Sequence, residues 1–254
     1  MKKRVLIPMP TYGSDPTEVA IPWSIMVKND FEVVFATPNG EKAESDRIML
    51  YGDGLGMWKS ILKARKDALD QYFKLEKDQA FCHPIQYSDI QESDFDALFL
   101  PGGHDKSMKE YLESPILQNV VVDFFRANKS VGAICHGVVL AARSIDPKTK
   151  KSVLYNYKTT SLLKKQEMLA YNLTKRNLKD YYLTYPGLTV EDEVKSVLQT
   201  SKNYLQGPTP IFRDSMSHLK RGFVVKDRNY ISARWPGDAY SFSLAFVEMN
   251  EVLK

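Results

Sequence analysis

Only two cysteines occur among the 254 residues, Cys82 and Cys135, and they lie far apart. A disulfide framework is therefore not expected, and a reducing cytoplasm is the default compartment. Histidine is nearly as scarce: His83, His104, His136 and His218 show no recurring ligand spacing with the cysteines. No metal site is expected from such a set. Charge of one sign is lacking too. The 35 basic and 31 acidic residues leave a net +4, too little to argue for a nucleic-acid partner. No apolar run approaches the ~20 residues of a membrane span. Met1–Lys2–Lys3–Arg4 is followed by only a short apolar run before Pro8 and Pro10, so neither a signal peptide nor a membrane partner is expected. What is present is ordinary globular composition, 43% hydrophobic and 26% charged. The length suits one large domain, or one domain with a substantial insertion.

One run stands out against this background. Ser130–Val131–Gly132–Ala133–Ile134 reads as a buried strand, ends in Cys135–His136–Gly137, and passes at once into Val138–Val139–Leu140–Ala141–Ala142, which reads as a buried helix. A strand turning straight into a helix makes a sharp bend, and the residue at the bend projects above the sheet. Here that residue is a thiol. The His136 N–H would sit at the helix N-terminus, able to donate to a developing oxyanion, and the helix dipole would favour a thiolate. Taken alone, the run fits a buried structural cysteine equally well.

The remaining pattern alternates strands with helices. Arg4–Met9 and Phe31–Ala36 read as strands around a helix over Thr17–Asn29, with Thr17 as N-cap and Glu18 in the first turn. Helical spacing runs from Gly56 to Phe73. Asp96–Leu100 reads as a buried strand ending in Pro101–Gly102–Gly103–His104. Ser114–Pro115 opens an amphipathic helix, with Ser as N-cap and Pro in the first position. Gly222–Lys226 and Tyr230–Arg234 flank Asp227–Arg228–Asn229 as a hairpin, and Asp238–Leu253 reads as a final helix. Such alternation implies a mainly parallel sheet covered on both faces, with ligands beyond the carboxyl ends of its strands. Cys135 and the Pro101–Gly103 turn both fall at that edge.

Residues 147–210 break the rhythm. From Lys148 to Asp180 there are nine basic residues against Glu167 and Asp180, and Val190–Leu205 reads as an amphipathic helix. The region is read as one strand plus an inserted helical cap. A basic cap would steer anions toward a cleft, although a solvated helical face explains the same charges more simply.

Four stretches together carry a family resemblance. Ala133–Ile134–Cys135–His136–Gly137 resembles the elbow of the ThiJ/PfpI family, within the class I glutamine-amidotransferase-like superfamily. Glu18–Val19–Ala20–Ile21–Pro22 is similar to the family's first helix, which presents a glutamate to the cysteine. Asp94–Gly103 resembles its strand and oxyanion loop, and Ser232–Gly237 its C-terminal strand and helix. The Pro-Gly-Gly-His loop, the Cys-His pair and the long insertion resemble the glyoxalase III-type heat-shock chaperone branch. The resemblance implies an α/β, flavodoxin-like or Rossmann-like fold: a mainly parallel sheet sandwiched by helices, with the cap and a C-terminal strand pair plus helix. It implies one domain over 1–254 and a homodimer. It also implies Cys135 as nucleophile, Glu18 and His136 beside it, and Gly102, Gly103 and His104 as the oxyanion or substrate loop.

Related enzymes place a carboxylate after the next strand to orient the histidine, but Tyr157–Leu163 holds no acid, and Glu167 is a weak candidate. Three functions stay open. One is cofactor-independent conversion of a small carbonyl such as methylglyoxal to lactate, or protein deglycation. The second is amide or peptide hydrolysis through an acyl-enzyme. The third is a non-enzymatic stress chaperone or redox sensor, with Cys135 oxidised to the sulfinic acid. His83 and His218 read as surface or packing residues. Tyr12, Trp58 and Trp235 read as core more readily than as pocket lining.

Overall fold

A computed structural model of the chain describes residues 2–252. Seven strands form the central sheet: β1 (Arg4–Pro8), β2 (Glu32–Thr37), β3 (Ile85–Gln86), β4 (Ala97–Leu100), β5 (Ser130–Ile134), β6 (Val224–Asp227) and β7 (Tyr230–Ala233). Their order is β6-β7-β5-β4-β1-β2-β3. All neighbours are parallel except β6 and β7, which form the expected antiparallel hairpin. Every residue of β4 and β5 is buried, as parallel strands covered on both faces require.

The main helices are α1 (Pro16–Lys28), α2 (Lys66–Leu75), α3 (Pro115–Arg126), α4 (Gly137–Arg143), α5 (Lys164–Leu178), α6 (Val190–Val197) and α7 (Ala239–Val252). α1 packs against α2 and α7, while α3 packs against α4. The sheet is thus covered on both sides, as the residue pattern predicts. α7 settles on β5 at Gly132, where an added Cβ would lie 2.7 Å from the Phe246 ring. Phe246 and Phe242 both meet Phe99 of β4, at 5.5 and 5.2 Å between ring centres. Leu253, at the end of the expected last helix, lies outside the described residues.

Three helix expectations need correction. α1 is capped by Asp15 rather than Thr17, because Asp15 Oδ1 accepts from the Thr17 and Glu18 N–H groups at 2.7 and 3.3 Å. The single helix expected over Gly56–Phe73 is broken. Its first part, Gly56–Leu62, is a tight turn and one helical turn. Lys63 and Arg65 are extended, and α2 starts at Lys66. A tertiary bond draws the chain out of register there: Ala64 N–H donates to Met49 C=O at 2.8 Å. Finally, α6 stops at Val197, where Gln199 N–H leaves the helix for Tyr155 C=O at 2.8 Å.

Within 147–210, α6 packs on α4, the helix that follows Cys135. Met49, Leu55, Tyr181 and Tyr182 form a small apolar cluster of their own, with Leu178 of α5 against it. The far end of the segment is tied to β7 by Arg234, which is fully buried. Its guanidinium pairs with Asp238 through two 2.9 Å bonds and donates to Pro208 C=O at 2.6 Å.

Candidate active site

β5 runs directly into α4, and Cys135 is the joint. Its φ is +56°, a left-handed conformation that costs a side-chain-bearing residue about 1–2 kcal/mol. The surroundings enforce it. Cys135 N–H donates to Ala233 C=O at 3.1 Å, fixing the strand end. At Gly137 an added Cβ would strike the Leu100 carbonyl, so the helix start lies too close to β4 for any other residue. Cys135 and His136 are each only 1% exposed.

Glu18 comes from α1. With Asp15 as cap, Glu18 takes the third helical position, from which a glutamate commonly reaches back to the cap's own N–H. Here that N–H is taken: Asp15 N–H donates to Gly102 C=O at 2.8 Å. Glu18 Oε2 instead accepts the Gly102 N–H at 2.9 Å. The loop after β4 and the first turn of α1 are thus stitched together through both polar groups of Gly102. This corrects the expectation that Gly102 offers its N–H to an oxyanion. Among the described residues, the Gly103 and His136 N–H groups donate to no other backbone or side-chain oxygen, and they remain the candidate donors.

Burial drives the acid–base groups toward their uncharged forms. It raises the Glu18 pKa well above the ordinary carboxyl value, and the nearby Asp15 charge raises it further. Burial also pushes the Cys135 thiol well up, and negative charge nearby, on Glu18 when it is ionised and on Asp15, adds to it. The His136 N–H opposes this shift and does not overcome it. Both shifts favour a thiol beside a protonated acid over the expected resting thiolate. Because Oε2 accepts from Gly102, the Glu18 proton belongs on Oε1, which has no protein hydrogen-bond partner. That proton is free to be donated.

His136 is also neutral, its pKa held well below the usual range by burial. Its tautomer follows from its neighbours. Thr184 Oγ1 donates its single proton to His104 C=O at 2.8 Å, so it accepts from His136 Nε2 at 3.1 Å. His136 Nδ1 is then an unprotonated acceptor, 3.6 Å from Cys135 Sγ. Thr184 occupies the position where a triad would place a carboxylate. Sequence reasoning missed it, since a threonine in an irregular segment carries no signal. Glu167 lies elsewhere: its Oε2 accepts the Val190 N–H at 3.0 Å, capping α6.

His104 is buried, and burial lowers its pKa to about 4. Its ring meets those of His136 and Tyr182 edge-on, at 5.1 and 4.8 Å. A cavity of about 380 Å³ begins on its far side, with Asp15, Glu167, Tyr182, Arg213 and Trp235 in its wall. Trp235 thus lines a pocket, whereas Tyr12 and Trp58 do not line this one. His83 and His218 are exposed, and Cys82 is half-buried and unpaired. Among the described residues, no group of three or more His, Cys, Asp or Glu is placed to hold a metal ion. No helix among them is long and apolar enough to cross a membrane.

A ThiJ/PfpI family-like model matches residues 9–208, which begin just after β1 and take in Glu18, the Gly102–Gly103 loop, the Cys135 elbow and most of the inserted segment. The chain belongs to the ThiJ/PfpI family. An uncharacterised protein of Schizosaccharomyces pombe is 29% identical over 184 residues, 67% of each chain. A glutathione-independent glyoxalase of the same yeast, hsp3102, is 28% identical over 157 residues. That match covers 59% of this chain and 60% of the yeast protein. Among solved structures, glyoxalase III of Candida albicans superposes with a TM-score of 0.69 at 17% identity, over 97% of both chains. That likeness establishes the fold of this ThiJ/PfpI protein: a mainly parallel sheet flanked by helices.

Proposed function

We propose that this ThiJ/PfpI protein converts small 2-oxoaldehydes to 2-hydroxy acids, with Cys135 as nucleophile and Glu18 as proton carrier. The observation that carries the reading is the buried Glu18 carboxyl, anchored by Gly102 N–H on one oxygen and free on the other, beside a strained thiol. The similarity to yeast and Candida glyoxalases points the same way. A threonine rather than a carboxylate behind His136 weighs against an acyl-transfer triad.

The chemistry needs no external redox partner. The Cys135 sulfur bonds to the aldehyde carbon, and its proton reaches the aldehyde oxygen by way of His136 Nδ1. Glu18 gives its proton to the adjacent ketone oxygen. The resulting carboxylate then removes the hydrogen of the first carbon as a proton, leaving an enediol. Returning that proton to the second carbon, and taking back the proton of the first carbon's hydroxyl, gives a 2-hydroxy thioester and restores the acid. Water cleaves the thioester to the 2-hydroxy acid and the thiol. The first carbon is oxidised and the second reduced, and one water is consumed. The Gly103 and His136 N–H groups would stabilise the oxyanions along this path.

Lactate formed from methylglyoxal by the purified protein, without glutathione, tests the reading. Glu18→Gln keeps shape and hydrogen bonding but carries no proton. It should fold normally and lose turnover by the ~10²-fold or more typical of a missing general acid–base group. Full turnover in Glu18→Gln would remove Glu18 from the mechanism and leave the proton to His136.

A further inference from the structure

The cavity beyond His104 is far larger than methylglyoxal requires. Its volume is about 380 Å³, within the range of pockets that enclose drug-sized molecules. Much of the wall is apolar, from Leu62, Leu162, Ala170 and Leu173. Buried polar atoms without protein partners gather in the same wall: Tyr182 Oη, Trp235 Nε1, His104 Nδ1 and Gln166 Oε1. Tyr182 is 3% exposed and His104 8%. Orphaned buried polar groups are rare in folded proteins. Four of them in one apolar cavity form a set of donors and acceptors that a ligand would satisfy.

The charged groups in the wall already have partners. Asp15 caps α1, and the Arg213 guanidinium is bonded to Ile61 and Leu62 C=O at 3.2 and 2.9 Å. Glu167 is engaged with α6. The cavity therefore suits a neutral molecule with an apolar body and one or two oxygens. Its inner end touches the chemistry. His104 separates it from His136, and Asp15 of its wall holds the first turn of α1 from which Glu18 projects.

We infer that the substrate is a 2-oxoaldehyde with a bulky apolar substituent, aryl or branched alkyl, whose body occupies this cavity. The inference rests on the glyoxalase reading for its reaction and on the cavity for its substrate. The body enters between α5 and Trp235 and packs on Ala170 and Leu173, with any oxygen it carries toward Tyr182 and Trp235 and the ketone oxygen left toward Glu18. His104 is the partition that has to turn aside for the aldehyde carbon to reach Cys135.

Two measurements separate the cavity from the chemistry. The first is turnover: kcat/KM for phenylglyoxal should exceed that for methylglyoxal by at least ~10-fold, since each extra buried carbon strengthens transition-state binding. The second is binding without turnover. The unreactive ketol 2-hydroxyacetophenone, titrated into Cys135→Ala by calorimetry, should bind at least ~10-fold more tightly than hydroxyacetone. Ala170→Phe fills the cavity and should abolish that difference. Leu173→Ala removes apolar contact without adding bulk, and should weaken ketol binding several-fold if Ala170→Phe does not fold. Equal turnover of both glyoxals with no ketol preference would overturn the cavity assignment and leave the glyoxalase reading standing. Ketol binding lost in Ala170→Phe, with neither glyoxal turned over, would overturn the glyoxalase reading and the 2-oxoaldehyde with it, leaving a pocket for a neutral aryl ketone.

Discussion

Gly102→Ala is the smallest change that tests the geometry of the site. An added Cβ at this position would lie 2.7 Å from Glu18 Oε2, 2.7 Å from the His136 nitrogen and 3.0 Å from Cys135 Cβ. Ordinary contact begins near 3.4 Å, so two of the three neighbours must retreat by about 0.7 Å, from 2.7 to 3.4 Å. The His136 nitrogen and Cys135 Cβ belong to a buried joint between strand and helix and yield little. Glu18 is the freest of the three, and its retreat breaks the 2.9 Å bond from Gly102 N–H. Overpacking of this kind costs about 1–3 kcal/mol. For a chain of this size that lowers Tm by roughly 2–12 °C. Catalysis should suffer more, because misplacing a reacting group by about 1 Å costs on the order of 10²-fold. Lactate production and thermal melting of Gly102→Ala would be measured beside Gly187→Ala. Gly187 has a φ of +89° but nothing within 4 Å of an added Cβ, so it reports backbone strain alone. Wild-type turnover and melting in Gly102→Ala would refute the packing of Glu18 against the Cys135 elbow.

Thr184→Val removes the hydroxyl between His136 Nε2 and His104 C=O. It should leave a buried N–H unsatisfied at a cost of about 1–3 kcal/mol, shift the His136 tautomer seen by nitrogen NMR, and lower turnover, with Thr184→Ser restoring all three. Glu167 has its pKa raised to about 7 by burial. Between its unfolded value near 4.5 and about 7, the folded state holds a proton that the unfolded chain has lost, so its stability contribution falls as pH rises through that window. Glu167→Gln should therefore melt higher than wild type at pH 8, by roughly 2–3 kcal/mol of stability, and equally at pH 5; a difference independent of pH would contradict this. Asp238→Asn leaves the fully buried Arg234 guanidinium without its counter-charge and should destabilise the protein by about 3–5 kcal/mol in denaturant titration.

The framework of the fold is written in periodicity. Wholly apolar runs such as Ala97–Leu100 and Val131–Ile134 admit few structures other than buried parallel strands. The Ser114–Pro115 start and the Asp227–Asn229 turn follow from local chemistry alone. Expectations failed where a distant partner decides. Thr17 and Asp15 are both sound caps by type, and the choice between them is made by Gly102, which takes the Asp15 N–H from another element. The break at Lys63–Arg65 depends on Met49, and the end of α6 on Tyr155. No local propensity contains those bonds.

The site follows the same division. Cys135 was legible because a strand that becomes a helix without a loop is visible in sequence, and so is the glycine at 137 that permits it. Glu18 was legible only by resemblance, since one acid in a first helical turn looks like any other. The protonation of the pair was not legible at all. Helix-dipole reasoning predicts a thiolate, but α4 is only seven residues long. Its dipole competes with a burial that leaves Cys135 1% and Glu18 0% exposed, and with the charge of Asp15 nearby. Desolvation wins for both groups, and it determines the character of the chemistry. A site holding a resting thiolate would react with any electrophile that reached it. A thiol beside a protonated carboxyl becomes nucleophilic only when a substrate accepts a proton as the sulfur attacks. A carbonyl does that, and the free Oε1 proton of Glu18 stands where the second carbonyl oxygen of a 2-oxoaldehyde would need it.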